Sequence, residues 1–455
     1  MKNWKWSPLV AVCLGMFMLL VDVTIVTVAL PDMAADLDAS FTSLQWVMDA
    51  YALALSALVL GAGSLADHAG RKKVYLAGLV FFALASLGCG LAPNDEILIV
   101  ARAVQGVGGA AMLATTMALL TVTYQGKDRA VALGVWGSVT GLAAATGPVL
   151  GGLFTEYLDW RAIFLVNLPV SVIALWLTRK VVQESSNPHA LGVDVPGVLA
   201  FTAGAAGITY GLIRAGEDGW GSALGWLGGG VTALVAFVVI ELRSGKPMLD
   251  LKLFRQAAFS TVLLASMAFS FAAFAASPFL SIWLQEVLRM TPLAAGLALL
   301  PMSVTAFMVA GTVGRHLHSV PSRFPIGFGL VVIGGGSLSL HAGTSWTSVL
   351  LGLAVIGVGV GVVGQALPGA IMQAVPQQRA GMASGALNTF RQLGFALGVA
   401  VLGTVVRGGT SFPSGLDQSF VVAGVVGVAV GVVALLFILS PNAAGDPQVK
   451  EVLRA

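Results

Sequence analysis

Apolar residues run through this chain in long blocks separated by short polar breaks. With Gly, Pro and charged clusters as the breaks, the pattern predicts fourteen helices. Their limits are 8–30, 41–66, 73–92, 96–123, 128–157, 161–182, 193–214, 223–243, 257–286, 293–317, 323–341, 347–373, 379–407 and 417–440. Each is near the ~20 residues that carry a helix across the ~30 Å hydrocarbon layer of a bilayer. The seventh and eleventh are diluted by glycine. The first is expected to end at Leu30-Pro31. It follows Lys2 and Lys5, as a secretory signal would, but a signal's apolar region runs only about 7–15 residues. It is read as a retained first helix.

Composition agrees with this pattern. Of 455 residues, 57% are hydrophobic and 10% charged, against roughly 25% charged in a soluble domain. The 24 basic residues alternate strongly between the two sets of breaks. Eighteen lie on the side of the N-terminus, among them Lys127, Arg179, Lys246, Lys252, Arg315, Arg323, Arg379, Lys450 and Arg454; four (Arg161, Arg214, Arg289, Arg407) lie opposite, and Arg102 and Arg391 fall inside spans. Basic loops stay inside the cell, so an even number of spans with both termini cytoplasmic is expected. The longest polar stretch, Gln183 to Asp194, leaves no room for a soluble domain, and no phosphate-binding loop appears. No basic-aromatic run suggests nucleic acid. The histidines (68, 189, 316, 318, 341) form no metal or catalytic pattern at membrane depth, so no enzyme is expected. Cys13 and Cys89 fall near opposite faces of the bilayer, too far apart for a disulfide, and are read as small apolar fillers.

Three charges inside the predicted spans call for an explanation. An Asp at the centre of an inserted helix costs at least ~2.5–3.5 kcal/mol. Asp22, Asp49 and Arg102 lie in the first, second and fourth spans. At ~1.5 Å per residue they sit about 13, 12 and 9 Å below one face. A shared electrostatic unit that handles a proton would place them in one layer. Arginine keeps its charge, so a carboxylate would carry the proton and Arg102 would tune it. The plainer roles remain open: Asp22 as a hydroxyl or N–H acceptor, Asp49 as a packing or substrate-orienting acid, Arg102 as a brace. In the thirteenth span Arg391, with Asn388 and Gln392 nearby, either binds a polar or anionic substrate or braces that helix.

Several segments carry a resemblance. The loop Gly63-Ser-Leu-Ala-Asp67-His-Ala-Gly70-Arg71-Lys72-Lys73 resembles the signature loop of the major facilitator superfamily. Arg102-Ala-Val-Gln105-Gly106 in the fourth span and Gly147-Pro148-Val-Leu-Gly151-Gly152 in the fifth resemble further motifs of that family, the latter its antiporter motif. Asp22-Val-Thr24 through Pro31, Trp160-Arg161 through Asn167-Leu-Pro169, and Asn388-Thr-Phe-Arg391-Gln392 resemble segments of its fourteen-span drug:proton antiporters. Gly311-x-x-Gly314-Arg315 resembles a decayed second copy of the Gly63 loop.

The resemblance implies an all-α polytopic membrane protein with the major facilitator fold. Two six-helix bundles, 1–182 and 257–440, would flank a two-helix insert with linkers, 183–256, and precede a cytoplasmic tail, 441–455. It implies a monomeric, proton-coupled antiporter in the bacterial cytoplasmic membrane that exports amphiphilic drugs, antibiotics or secondary metabolites. Substrate would sit near the midplane and access would alternate by rocking. No cofactor is implied beyond the proton gradient. Asp22, Asp49 and Arg102 would couple the proton; Gly63, Asp67, Gly70, Arg71 and Lys72 would gate; Gly147, Pro148, Gly151 and Gly152 would govern the cycle. Arg391, Asn388, Gln392 and Trp136 would meet substrate, with Met48, Phe269, Phe271 and Met302 as further lining. A proton-coupled uptake symporter on the same fold is the alternative. The chain departs from some drug antiporters in having no acid in its tenth or thirteenth span. This speaks against dications and toward neutral, zwitterionic or anionic compounds.

Overall fold

The computed structural model describes residues 4–186, 192–245, 247–313, 320–375 and 379–438. The predicted tail 441–455, Lys2, Lys246, Arg315 and the Gly314 end of the decayed loop lie outside them, as do His189, His316 and His318. No strand occurs among the described residues. The helices are α1 Ser7–Leu37, α2 Phe41–Ala69, α3 Arg71–Gly90, α4 Asp95–Thr123, α5 Gly126–Tyr157, α6 Ala162–Val181 and α7 Val195–Asp218. They continue with α8 Trp220–Arg243, α9 Ala257–Val287, α10 Pro292–Val313, α11 Arg323–Leu338, α12 Trp346–Gln373, α13 Ala380–Gly408 and α14 Phe412–Phe437. Thirteen are long and apolar enough to cross a membrane. The other, α11, has 16 residues, or about 24 Å at 1.5 Å per residue. The chain is a multi-pass membrane protein.

Local chemistry accounts for the ends. Ser40 accepts from the Ser43 N–H, Asn94 from the Ile97 N–H, and Ser411 from the Ser414 N–H, as helix N-caps do. The first helix departs from expectation: Pro31 lies inside α1, which continues to Leu37 and closes on Asp38 in a left-handed conformation. Proline removes one hydrogen bond and bends a helix, and packing of its neighbours can hold the bend in place. Here Val28, Ala29, Leu30 and Met33 are fully buried around it.

Helices α1 to α6 pack on one another, and α9 to α14 do likewise. Between these sets, α2 lies along α13, α5 along α10, and α1 against the Ser277–Ile282 part of α9. The hairpin α7–α8 packs through α7 on both α2 and α13. Tyr210 of α7 meets Trp46 at a tilt and Trp226 edge to face, and Thr404 of α13 donates to the Leu212 carbonyl at 2.9 Å. Starting with α1, successive helices run in alternate directions. The side on which α1 begins and α14 ends is called the terminal face below.

The Gly147-Pro148-Val-Leu-Gly151-Gly152 segment touches two partners at once. A Cβ on Gly147 would lie 1.8 Å from Thr24 Oγ1, and one on Gly151 would lie 2.4 Å from the Ile25 carbonyl, both in α1. A Cβ on Gly152 would lie 2.6 Å from Leu293 Cα in α10, and one on Gly296 of α10 would lie 2.3 Å from the Pro148 carbonyl. One stretch of α5 therefore allows close backbone approach within its own bundle and across to the other. Gly134, on the same helix, has nothing within 4 Å of such a Cβ.

Gly147→Ala should destabilise the detergent-solubilised protein by about 1–3 kcal/mol, the usual cost of overpacking a filled site. Gly134→Ala should be neutral or mildly stabilising, because Ala is the better helix former. Thermal unfolding of the two variants beside the parent checks this. Equal midpoints for both would mean that α1 and α5 do not need their close contact.

Candidate functional site

Asp22 lies 1% exposed in α1, inside the first bundle. Its Oδ2 accepts from Arg102 Nη1 at 2.6 Å. Its Oδ1 accepts from Gln105 Nε2 at 2.8 Å and from Asn167 Nδ2 at 2.9 Å. Arg102 also donates to Gln105 Oε1 at 2.6 Å and, through Nε, to the Val47 carbonyl at 3.1 Å. Ser86 Oγ accepts from Gln105 and Asn167. The guanidinium carbon sits 4.2 Å from the Tyr51 ring centre, a cation–π contact that is stronger for lack of water. Five helices, α1, α2, α3, α4 and α6, thus meet on one buried ion pair. Removing one partner of such a pair typically costs 3–5 kcal/mol. The spacing of Arg102 and Gln105 puts both on one face of α4. Asn167 opens the long part of α6, just past the turn at Val166.

The structure brings Asp22 and Arg102 together and leaves Asp49 apart. Asp49 is wholly buried, and neither carboxylate oxygen has a hydrogen-bond partner. It shares a face of α2 with Gln45 and Ser56, four residues before and seven after. Those two bond α13: Gln45 Nε2 to the Val399 carbonyl at 3.2 Å, and Thr389 Oγ1 to the Ser56 carbonyl at 3.1 Å. Asp49 therefore lies at the seam between the bundles. Burying a lone ionised carboxylate costs far more than burying the neutral acid.

Arg391 is partly buried on α13 and, among the described residues, has no hydrogen-bond or ion-pair partner. It shares a helix face with Leu387, Gly394 and Gly398. That face meets α9, where Ser266 donates to the Leu387 carbonyl and Met267 and Phe271 crowd the two glycines. Asn388 donates to the Ser384 carbonyl at 3.0 Å, and Gln392 is partly buried beside it. Trp136 packs on the inner cluster of the first bundle with its Nε1 buried and unpartnered.

A cavity of about 50 Å³ lies where α1 and α5 meet the second bundle. Its wall is apolar, with Leu299, Met302, Leu353 and Phe420, plus hydroxyls such as Thr24 and Ser303, and holds no charged side chain. Met302 lines it; Arg391, Trp136, Phe269 and Phe271 do not. Met48 lines a smaller recess with Phe41 and Phe279.

The loop between α2 and α3 is held from an unexpected quarter. Asp67 pairs with Arg71 at 2.7 Å. Gly70 has φ +112°, a conformation that side chains oppose. The Glu184 carboxylate, beyond α6, accepts from the Lys72 and Lys73 N–H groups at 2.9 and 3.1 Å, and Ser185 accepts from the Arg71 N–H. Lys72 Nζ in turn donates to the Arg179 carbonyl. A Cβ on Gly70 would meet the Glu184 carboxylate at 2.8 Å. Gly63 has nothing within 4 Å of its own Cβ position. Sequence reasoning missed Glu184, Ser86 and Tyr51. Only an acid placed just past a span, and a lone hydroxyl and ring inside apolar runs, could have signalled them. Cys89, read as a filler, also donates weakly to Gln105 Oε1 at 3.8 Å.

Comparison with known proteins bears on this arrangement. The sequence model of the Major Facilitator Superfamily matches residues 12–399. The chain is 37% identical over 411 residues to the "Multidrug resistance protein Stp" of Mycobacterium tuberculosis, covering 89% of this chain and 76% of that protein. It is 33% identical over 442 residues to the "Methylenomycin A resistance protein" of Streptomyces coelicolor, covering 95% and 92%. In structure it is similar to the human organic anion transporter MFSD10 (TETRAN), with TM-score 0.67 at 16% identity, over 95% of this chain and 100% of that one; that likeness concerns the fold. With fourteen helices in this arrangement and relatives that cover most of its length, the chain belongs to the Major Facilitator Superfamily, a family of transporters.

Proposed function

We propose that this transporter is a proton-coupled antiporter that exports amphiphilic small molecules across the bacterial cytoplasmic membrane, as a monomer with its terminal face in the cytoplasm. The observation that carries the reading is the Asp22 network and its position. Asp22 is fully buried and paired with Arg102, and two residues later Thr24 lies against the Gly147 segment that also touches α10. A change in the charge of Asp22 acts on α1, and α1 bears on the contact between the bundles. Names of relatives that speak of multidrug and antibiotic resistance support export.

The coupling follows from elementary electrostatics. With Asp22 ionised, Arg102 is neutralised and the first bundle is tightly bonded. A proton on Asp22 removes that attraction, yet Arg102 keeps the Val47 carbonyl, Gln105 Oε1 and the Tyr51 ring. The guanidinium thus has partners in both states, and α1 gains freedom in one of them. Asp49, unpartnered at the α2–α13 seam, is the second proton site and is held neutral while the seam is closed. The proton gradient supplies ~2.3 kcal/mol per charge per 100 mV and ~1.4 kcal/mol per pH unit. On the substrate side, the apolar cavity takes the lipophilic part, and Arg391, Asn388 and Gln392 favour an acceptor-rich or anionic group. The glycine motif and the Gly63 to Lys72 loop serve the change of access.

In proteoliposomes with an imposed pH gradient, Asp22→Asn should abolish proton-driven efflux while substrate binding is partly retained. Arg102→Ala should instead lower stability by about 3–5 kcal/mol, because a buried carboxylate is left uncompensated; adding Asp22→Asn should restore much of it. Parental antiport rates in Asp22→Asn would remove Asp22 from the coupling step.

Arg391→Gln should weaken efflux of anionic and acceptor-rich compounds more than that of matched lipophilic cations. Arg391→Lys should rescue only in part, because the planar fork is lost. A panel of anionic, neutral and cationic analogues in whole-cell efflux reads this. An equal loss across the three classes would make Arg391 a brace of α13.

A further inference from the structure

The hairpin α7–α8 carries two buried acids that the coupling scheme does not use. Asp194 precedes α7 and Glu241 is near the end of α8, both toward the terminal face; they are 6% and 4% exposed. Each has one oxygen employed. Asp194 Oδ1 caps α7 through the Gly197 N–H at 2.9 Å, and Glu241 Oε2 accepts from the Leu249 N–H at 3.1 Å. The other oxygens, Asp194 Oδ2 and Glu241 Oε1, are buried and have no partner. Both border the same small space. A Cβ placed on Gly197 would be 3.1 Å from Asp194 Oδ2 and 2.8 Å from Glu241 Oε1. Glycine at 197 keeps that space clear.

Among the described residues, the charged groups on the neighbouring elements are exposed or engaged elsewhere; Lys252 and Arg255 of the linker are exposed. Arg243 is exposed at the end of α8. Asp250, in the linker to α9, is bound by Arg379. Asp67 on α2 is bound by Arg71 and His68 is exposed. Arg214 at the far end of α7 pairs with Asp218. Lys246 lies outside the described residues. Two ionised carboxylates cannot face each other in a buried site without a counter-charge, whereas one shared proton satisfies both free oxygens.

From this geometry we infer that Asp194 and Glu241 form a proton-binding site, holding one proton between Oδ2 and Oε1 and closing the terminal-face end of the hairpin. The site bears on transport through the linker. Glu241 holds Leu249, and the next residue, Asp250, holds Arg379 at the start of α13 and donates its N–H to Met382 Sδ. With the proton bound, the hairpin, linker and α13 are tied together. When it leaves, the carboxylates repel, the linker loosens and α13 is freed at that end. It does not depend on Asp22 being the coupling site.

The test is thermal unfolding of the full chain in detergent between about pH 5 and about pH 9, for the parent, Glu241→Gln and Asp194→Asn. Ordinary carboxylates in the unfolded chain are ionised above about pH 5. The folded state then binds one proton more than the unfolded state, and stability falls as pH rises. The parent's midpoint should drop by several degrees toward high pH. Glu241→Gln should flatten that slope, since the amide donates to Asp194 at every pH. Asp194→Asn should do the same while still capping α7, which guards against a single misfolded variant. Parallel slopes in all three proteins would overturn the inference. So would rescue of the parent at high pH by sodium, potassium, magnesium or calcium chloride that Glu241→Gln does not show, because the site would then bind a metal cation.

Discussion

The Asp22–Arg102 pair is the constraint on which the first bundle depends. It is enclosed by apolar helices, so neither charge can turn to water. Each must therefore find its partners inside the protein. Gln105, Asn167 and Ser86 supply the remaining hydrogen bonds, and Tyr51 covers the guanidinium. That demand settles which faces of α1, α3, α4 and α6 point inward. A half-satisfied network at this depth would cost more than an apolar core.

Small residues carry the other half of the architecture. Without a hydrophobic force between helices in lipid, association rests on close packing. Gly147 and Gly151 seat α1 on α5, while Gly152 and Pro148 seat α5 on α10. Tight contact of this kind has little room for intermediate positions. Sliding α1 by a fraction of an ångström would drive Thr24 and Ile25 against Gly147 and Gly151, and through α5 bear on Leu293 and Gly296. The ion network and the seam between the bundles are thus neighbours along one helix.

Much of this was legible in the sequence because its signals are local. Hydropathy blocks and the turn residues between them located the fourteen helices of the described residues, and the motifs flagged Asp22, Arg102 and the Gly147 segment. The failures have physical causes. Pro31 reads as a stop, but α1 continues through it to Leu37 among buried neighbours. Asp49 seemed to share a layer with Asp22, and it is at a similar depth, but depth along a helix says nothing about which face the residue occupies. Its position relative to Gln45 and Ser56 turns it toward α13. Glu184 was invisible because the loop it caps lies more than a hundred residues earlier in the chain. Arg391 and Met302 were both expected near substrate, but only Met302 lines the apolar cavity, which no reading of single spans could reveal.

The two bundles differ in what they bury. The first holds Asp22, Asp49, Arg102, Gln105 and Asn167. Among the described residues of the second, the fully buried polar groups are hydroxyls and Gln285, and its one deep cation, Arg391, is unpaired. A paired charge is suited to titration, since its partner sets the cost of each protonation state. An unpaired cation is suited to a variable guest, since no internal carboxylate competes for it. If both tasks shared one bundle, a bound anion would compete with Asp22 for Arg102, and substrate binding would consume the ion pair that coupling requires. On the proposed reading, separating them across the seam avoids this competition and leaves the Gly147 segment, which touches both bundles, as the place where one task would act on the other.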